Sequence, residues 1–142
     1  MRGTTTTTEA AAPKTRTVEA RWEGGYKCRV QAGAFEIRVD EPSSAGGEDT
    51  GAQPTELFLG SIASCFALAV HHVARKRGIE LPDLAVKAIG TYGGPKFVHI
   101  RVEVTSSHGR EELEKLVERA KAVCYVSNTI RTLNDTEVVV VP

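Results

Sequence analysis

The sequence predicts an α+β fold, and three observations carry the prediction. The N-terminal third alternates apolar and polar residues with period two. A long central segment is apolar nearly all round. Beyond it, alternation returns and is followed by an amphipathic helix. In order the elements read βββ-α-ββ-α-β, with antiparallel strands.

Thr15 to Glu23 alternates as a first strand, with Val18, Ala20 and Trp22 on one side. Gly24-Gly25 marks a turn, Tyr26 to Ala32 reads as a second strand, and Gly33-Ala34 turns again. Phe35, Ile37 and Val39 share one face of a third strand, so the three form a meander. A loop rich in Pro, Ser, Gly and acidic residues runs from Glu41 to Gln53. Pro54 and Thr55 then open a helix that continues unbroken to Arg77, with Gly78 as its C-cap. A helix apolar on every side is expected to be buried.

Ile79 to Thr91 and Phe97 to Ser106 read as two further strands joined by Gly93-Gly94-Pro95. Val98, Ile100, Val102 and Val104 alternate with His99, Arg101, Glu103 and Thr105, which gives the second of them one wet face. Gly109 to Val123 is amphipathic, with Leu113, Leu116, Val117 and Ala120 as its apolar stripe. Ser127 caps a short helix through Leu133, and Glu137 to Val141 is expected as a last strand.

The chain has 142 residues, enough for one domain over residues 17–142 with its own core and no need of disulfide staples. Residues 1–16, with Thr4 to Thr8 and Ala10 to Ala12, read as a disordered leader lacking the apolar segment of a secretory signal. No apolar stretch reads as long enough to cross a bilayer, so no membrane association is expected, and without an export signal the expected location is cytoplasmic. Lys plus Arg and Asp plus Glu number 18 each, which argues against nucleic acid as a partner, since phosphate binding needs clustered positive charge. Arg75-Lys76-Arg77 sits where it complements a helix C-terminus.

In a reducing compartment a pair of cysteines is more often catalytic than structural. There are three, Cys28, Cys65 and Cys124, so one is left over however they pair. Cys28 lies in a strand and no pattern gives it a role. Cys65 lies deep in the apolar helix among the small residues Ser61, Ser64 and Ala69. A buried free Cys is commonly just a small hydrophobe. A Gly-rich loop leading into that helix, however, can place backbone amides beside a site. His72 follows Cys65 by seven residues, on the same face but ~10.5 Å along the axis, too far for a direct hydrogen bond. It reads as packing or solvent-facing. The spacing of Cys and His gives no metal site.

Gly46-Gly47, Gly51 and the run Gln53 to Phe66 (Gln-Pro-Thr-Glu-Leu-Phe-Leu-Gly-Ser-Ile-Ala-Ser-Cys-Phe) resemble the motif of the OsmC/Ohr family, the osmotically inducible and organic hydroperoxide resistance proteins. A second match lies at Ala122 to Thr129 around Cys124, and the likeness extends from about Val18 to Val141. The resemblance implies an intertwined homodimer of thiol peroxidases acting in antioxidant defence. It needs no bound cofactor. Cys65 attacks an organic hydroperoxide, or hydrogen peroxide, and becomes a sulfenic acid. Cys124 resolves it as a disulfide, and an external dithiol such as a lipoyl group reduces that bond.

The family also uses an Arg from the N-terminal strands, held by a Glu at the start of the cysteine helix. Here Tyr26 follows Gly-Gly where that Arg stands, with Arg29, Lys27 and Arg21 nearby. Thr55 occupies the usual Glu position and Glu56 comes one residue later. Arg29 and Glu56 are therefore the candidate supporting residues. A thiol in apolar surroundings is a poor acid unless a cation or hydrogen-bond donor reaches it. The alternative is a small-molecule- or thiol-binding dimer that keeps the fold without efficient turnover.

Overall fold

The structure is a computed structural model that describes residues 12–142, so most of the expected leader lies outside the described residues. The chain divides into two compact units, one ending at Gln53 and the other running Pro54–Pro142.

The first unit is the expected meander: β1 (Glu19–Trp22), β2 (Cys28–Ala32) and β3 (Phe35–Val39) pair antiparallel in the order β1-β2-β3. The register sets Ala20 opposite Val30 and Val30 opposite Ile37, with Trp22, Cys28 and Val39 in the next row. The period-two pattern thus puts the apolar residues on one face and Arg21, Arg29 and Arg38 on the other. β1 begins at Glu19 rather than Thr15 because its partner strand ends at Ala32, so earlier residues have nothing to pair with. Gly24 and Gly25 both take positive φ (100° and 56°) to close the first hairpin.

After β3 comes a loop with one 3₁₀ turn, Ser43–Ala45, folded around the fully buried carboxylate of Asp40. Its oxygens accept hydrogen bonds from the backbone amides of Glu41 (2.8 Å), Glu48 (3.2 Å) and Thr50 (3.1 Å) and from the Thr50 hydroxyl (2.6 Å). The loop passes so close to itself that a Cβ on Gly47 would lie 1.9 Å from the Glu41 carbonyl oxygen, and one on Gly51 2.6 Å from that of Arg38. These are two of the glycines in the first sequence motif, and close approach is what requires them.

The second unit opens with α1 (Pro54–Lys76). Its C-terminus closes as a Schellman motif, with Gly78 at φ 69° and the Ile79 amide donating to the Ala74 carbonyl at 3.0 Å. β4 (Ala85–Tyr92) and β5 (Phe97–Thr105) form an antiparallel hairpin. β4 starts at Ala85, later than the expected Ile79, because Leu81-Pro82-Asp83 makes a turn and β5 ends opposite Ala85. α2 (Arg110–Val123) and α3 (Tyr125–Thr132) follow, meeting at Cys124.

The core of this unit is Phe66, Ala69, Val70 and Ala74 of α1 against Leu113, Leu116 and Ala120 of α2, with Cys124 among them. The expectation of a wholly buried α1 is corrected. One stripe, Ile62 to Ala74 at helical spacing, is buried, while Leu68 remains 68% and Phe58 41% exposed. Two helices and one hairpin cannot cover more than one side of it. The expectation that no segment could cross a bilayer is also corrected: by length and composition alone α1 qualifies, because Leu57 to Ala74 contains no Asp, Glu, Lys or Arg. The last strand, expected over Glu137 to Val141, is absent. Those residues have no regular structure, and Val138 and Val140 are 95% and 100% exposed. Alternation alone does not make a strand where no sheet edge pairs with it.

Candidate functional site

α1 carries Cys65 near its middle, on the side that packs against the α2–α3 junction. At that junction Cys124 leaves helical geometry (φ −83°, ψ 106°). It ends α2, with its amide donating to the Ala120 carbonyl at 3.1 Å. It also starts α3, with its carbonyl accepting from the Asn128 amide at 3.0 Å. The break turns the Cys124 side chain inward, where it is fully buried, while Cys65 is half-buried. Cys65 packs against the core cluster that contains Cys124, and both thiols are free.

The surroundings of Cys124 favour its ionised form. Burial pushes the Cys124 thiol up. That effect is outweighed by the Ser127 hydroxyl and amide, the Cys65 thiol and the Val126 amide, so its pKa lies below the ordinary thiol value. The Val126 and Ser127 amides belong to the first turn of α3, whose unpaired N–H groups favour negative charge, although no capping hydrogen bond of normal geometry closes to the sulfur. The Ser127 hydroxyl also lies 3.4 Å from the Cys124 carbonyl.

Access separates the two thiols. An open groove of about 710 Å³ is lined by Cys65, Leu68, Ala69, His72, Val123 and Tyr125, among others, and Cys124 is not part of its wall. A molecule entering the groove reaches Cys65, and Cys124 is reached only through it. Ser61 and Ser64 are not part of this wall and donate their hydroxyls to the Phe58 and Gly60 carbonyls at 2.6 and 2.7 Å.

Other residues expected at the site are placed less directly. Glu56 lies exposed in the first turn of α1, nine residues and ~13.5 Å along the axis from Cys65, too far to touch the thiol. Thr55 accepts a hydrogen bond from the Tyr92 hydroxyl at 3.0 Å, beside stacked Phe58 and Phe97. Arg29 lies on β2 of the first unit, paired with Glu23 at 3.3 Å and Glu36 at 3.5 Å. Tyr26 packs its ring over Gly46, and Lys27 pairs with Glu48. Cys28 lies in the apolar row of the meander, as its strand position implied.

Sequence reasoning missed Asp40, and its reading of Ser127 as the cap of the short helix is corrected: α3 starts at Tyr125 with Cys124 at the N-cap, which places Ser127 inside its first turn. Asp40 stands beside Glu41 in an acidic loop and reads as solvated charge. The Ser127 hydroxyl is recognisable as a thiol partner only once the helix break at Cys124 is known.

Comparison with known proteins gives the family. The sequence profile described as OsmC-like protein matches residues 46–139, which include both cysteines and the glycine loop. The chain belongs to the OsmC family. Among OsmC-family relatives, an organic hydroperoxide resistance protein of Xanthomonas axonopodis pv. citri is 31% identical over 124 residues, covering 81% of this chain and 87% of the relative. The organic hydroperoxide resistance protein OhrB of Bacillus subtilis is 28% identical over 104 residues, 70% of this chain and 76% of its own. A crystal structure of an organic hydroperoxide resistance protein from Legionella pneumophila superposes with a TM-score of 0.62 at 28% identity, covering 85% of this chain and 92% of that one. The α+β fold with antiparallel sheets and three helices is therefore that of the OsmC family.

Proposed function

We propose that this OsmC-family chain is a thiol peroxidase that reduces organic hydroperoxides. The observation that carries the reading is the pair of thiols: Cys65 at the groove, and Cys124 fully buried in the core cluster against which Cys65 packs. The Cys65 thiolate attacks one oxygen of the peroxide. The O–O bond breaks, and the alkoxide leaves and takes up a proton as an alcohol. Cys65 is left as a sulfenic acid. The Cys124 thiolate then attacks the Cys65 sulfur, an S–S bond forms, and hydroxide leaves to become water. An external dithiol, such as a lipoyl group, reduces the disulfide by two exchange steps and is itself oxidised to a cyclic disulfide. The lowered pKa of Cys124 suits the second step, because only a thiolate attacks. The hydroperoxide resistance proteins among its relatives support this substrate class.

A homodimer belongs to the same proposal. A single chain leaves Trp22 and Phe35 exposed in the first unit and the Val138–Val141 run exposed in the second, and exposed apolar surface of this kind is what a second copy covers. The competing reading, a thiol- or small-molecule-binding dimer with little turnover, draws on Arg29 being engaged by two carboxylates. Turnover decides between them. With a dithiol present the protein is expected to consume cumene hydroperoxide, and Cys65→Ser to lower the rate by at least about a thousandfold. Wild-type turnover in Cys65→Ser would remove Cys65 from the mechanism, and no turnover in the wild type would leave the binding reading.

A further inference from the structure

The break between α2 and α3 turns Cys124 into the core, and one side chain spans that break. Where a helix stops, its last carbonyls lose their intrahelical partners. At the end of α2 the Ala120 carbonyl accepts from the Cys124 amide at 3.1 Å, and the Ala122 carbonyl accepts from Nδ2 of Asn128 at 3.3 Å. The backbone amide of Asn128 donates to the Cys124 carbonyl at 3.0 Å. Asn128 therefore holds the chain at Cys124 and again two residues before it. Among the described residues it is the one side chain of α3 that hydrogen-bonds back to α2. The hydroxyls of Ser127, Thr129 and Thr132 bond carbonyls no earlier than that of Cys124. The Asn128 amide is itself fixed, because Nη2 of Arg131 donates to its Oδ1 at 2.6 Å. A guanidinium has donors and no acceptor, so the amide oxygen faces Arg131 and the NH2 group faces Ala122. Asn128 is half-buried in the wall of the groove that also holds Cys65.

We infer that Asn128 is a positioning residue for Cys124: it clamps the α2–α3 break so that the buried thiol stays directed at Cys65, and Arg131 sets the clamp. The inference rests on the proposed pairing of Cys65 with Cys124, but the closure it describes does not need a peroxide. A thiol whose backbone is already fixed loses little freedom when it forms a bond. Preorganisation of this kind raises the effective concentration of Cys124 at the Cys65 sulfur. Asn128 acts through the backbone on either side of the thiol, so it bears on the second step and leaves the first, at Cys65, untouched.

Closure is measured without peroxide, by equilibrating the full-length protein with glutathione and glutathione disulfide. The Cys65 thiolate attacks glutathione disulfide, one glutathione thiolate leaves, and a mixed disulfide forms. The Cys124 thiolate then attacks the Cys65 sulfur, and the second glutathione thiolate leaves. Two protein thiols are oxidised, and one glutathione disulfide is reduced to two glutathione thiols. Mass spectrometry gives the fraction closed as the Cys65–Cys124 disulfide. Asn128→Leu removes both polar groups of the side chain without adding charge, and is expected to lower the equilibrium constant for closure about tenfold. Arg131→Leu, which only frees the amide to turn, is expected to lower it about threefold. The rate at which iodoacetamide alkylates Cys65 is expected to stay within about twofold of wild type in both. General loss of structure would move both readouts together, whereas positioning moves closure alone. Closure within about twofold of wild type in Asn128→Leu, a parallel change in Cys65 alkylation, or no Cys65–Cys124 disulfide in the wild type would overturn the inference. If Asn128→Leu does not fold, Arg131→Leu decides, since its side chain is exposed and closure unchanged there overturns the inference equally. If the wild type closes the disulfide with glutathione but does not consume cumene hydroperoxide, the peroxidase reading fails and the closure result still decides the role of Asn128.

Discussion

Two buried acids organise this molecule, and they do opposite things. Asp40 in the first unit and Cys124 in the second are both fully buried, and both have a pKa below the ordinary value. Asp40 is met by a hydroxyl and three amides at 2.6 to 3.2 Å, with the Thr50 hydroxyl the strongest influence, and its carboxyl is lowered to about 2. Hard oxygen with a full set of short donors is held in one charge state, which suits a loop that must keep one shape. Cys124 has burial working against its charge and a few weaker donors working for it, one of them the very thiol it is proposed to join. A group balanced in that way changes state easily, and that is what a resolving thiol requires. Burial by itself therefore does not distinguish structure from chemistry. The donor set does.

Changes at the two acids should separate these roles. The largest effect is expected from Cys124→Ser. The attack by Cys65 survives, but steady turnover with a dithiol falls by about a hundredfold, because the sulfenic acid is no longer converted to the preferred disulfide. A rate close to wild type would show that reductant reaches Cys65 directly. Asp40→Asn comes next, and acts on stability rather than turnover. The folded-state pKa of Asp40 is depressed, so its contribution is fully present above the ordinary carboxylate value of ~4 and is lost as pH falls through about 2. The variant should melt several degrees lower at pH 7, with the gap to wild type narrowing below pH 4. A gap independent of pH would mean that the ionised carboxylate is not what holds the loop. The smallest effect is expected from Ser127→Ala, which raises the Cys124 pKa by removing its leading donor and slows disulfide formation severalfold near neutral pH. Alkylation rate of Cys124 against pH, measured in Cys65→Ser with and without the change at Ser127, reads the shift.

The same contrast describes what could be read from the sequence. Elements whose cause is local were legible: the period-two rows of β3 and β5, the amphipathic stripe of α2, and α1 between Pro54 and Gly78. Elements whose cause is distant were not. β4 starts late because of Pro82 and the end of β5, and the C-terminal valines alternate without an edge to join. The motifs around Cys65 and Cys124 singled out the two cysteines, and their order as attacking and resolving thiols is the proposal tested below. The end of α2 at Val123 was legible as well, but that the break there turns Cys124 into the core was not. Asp40 was hidden for a related reason: its donors come from residues eight and ten positions away, brought back by a loop that only Gly47 and Gly51 permit.

The central claim is the order of the two thiols. Cys124→Ser treated with one equivalent of cumene hydroperoxide in the presence of dimedone, then mapped by mass spectrometry, tests it most directly. The account predicts the sulfenic acid adduct on Cys65, and in wild type a Cys65–Cys124 disulfide in its place. An adduct on Cys28, a Cys124 adduct in Cys65→Ser formed as fast as the Cys65 adduct, or a wild-type disulfide that includes Cys28 would contradict it.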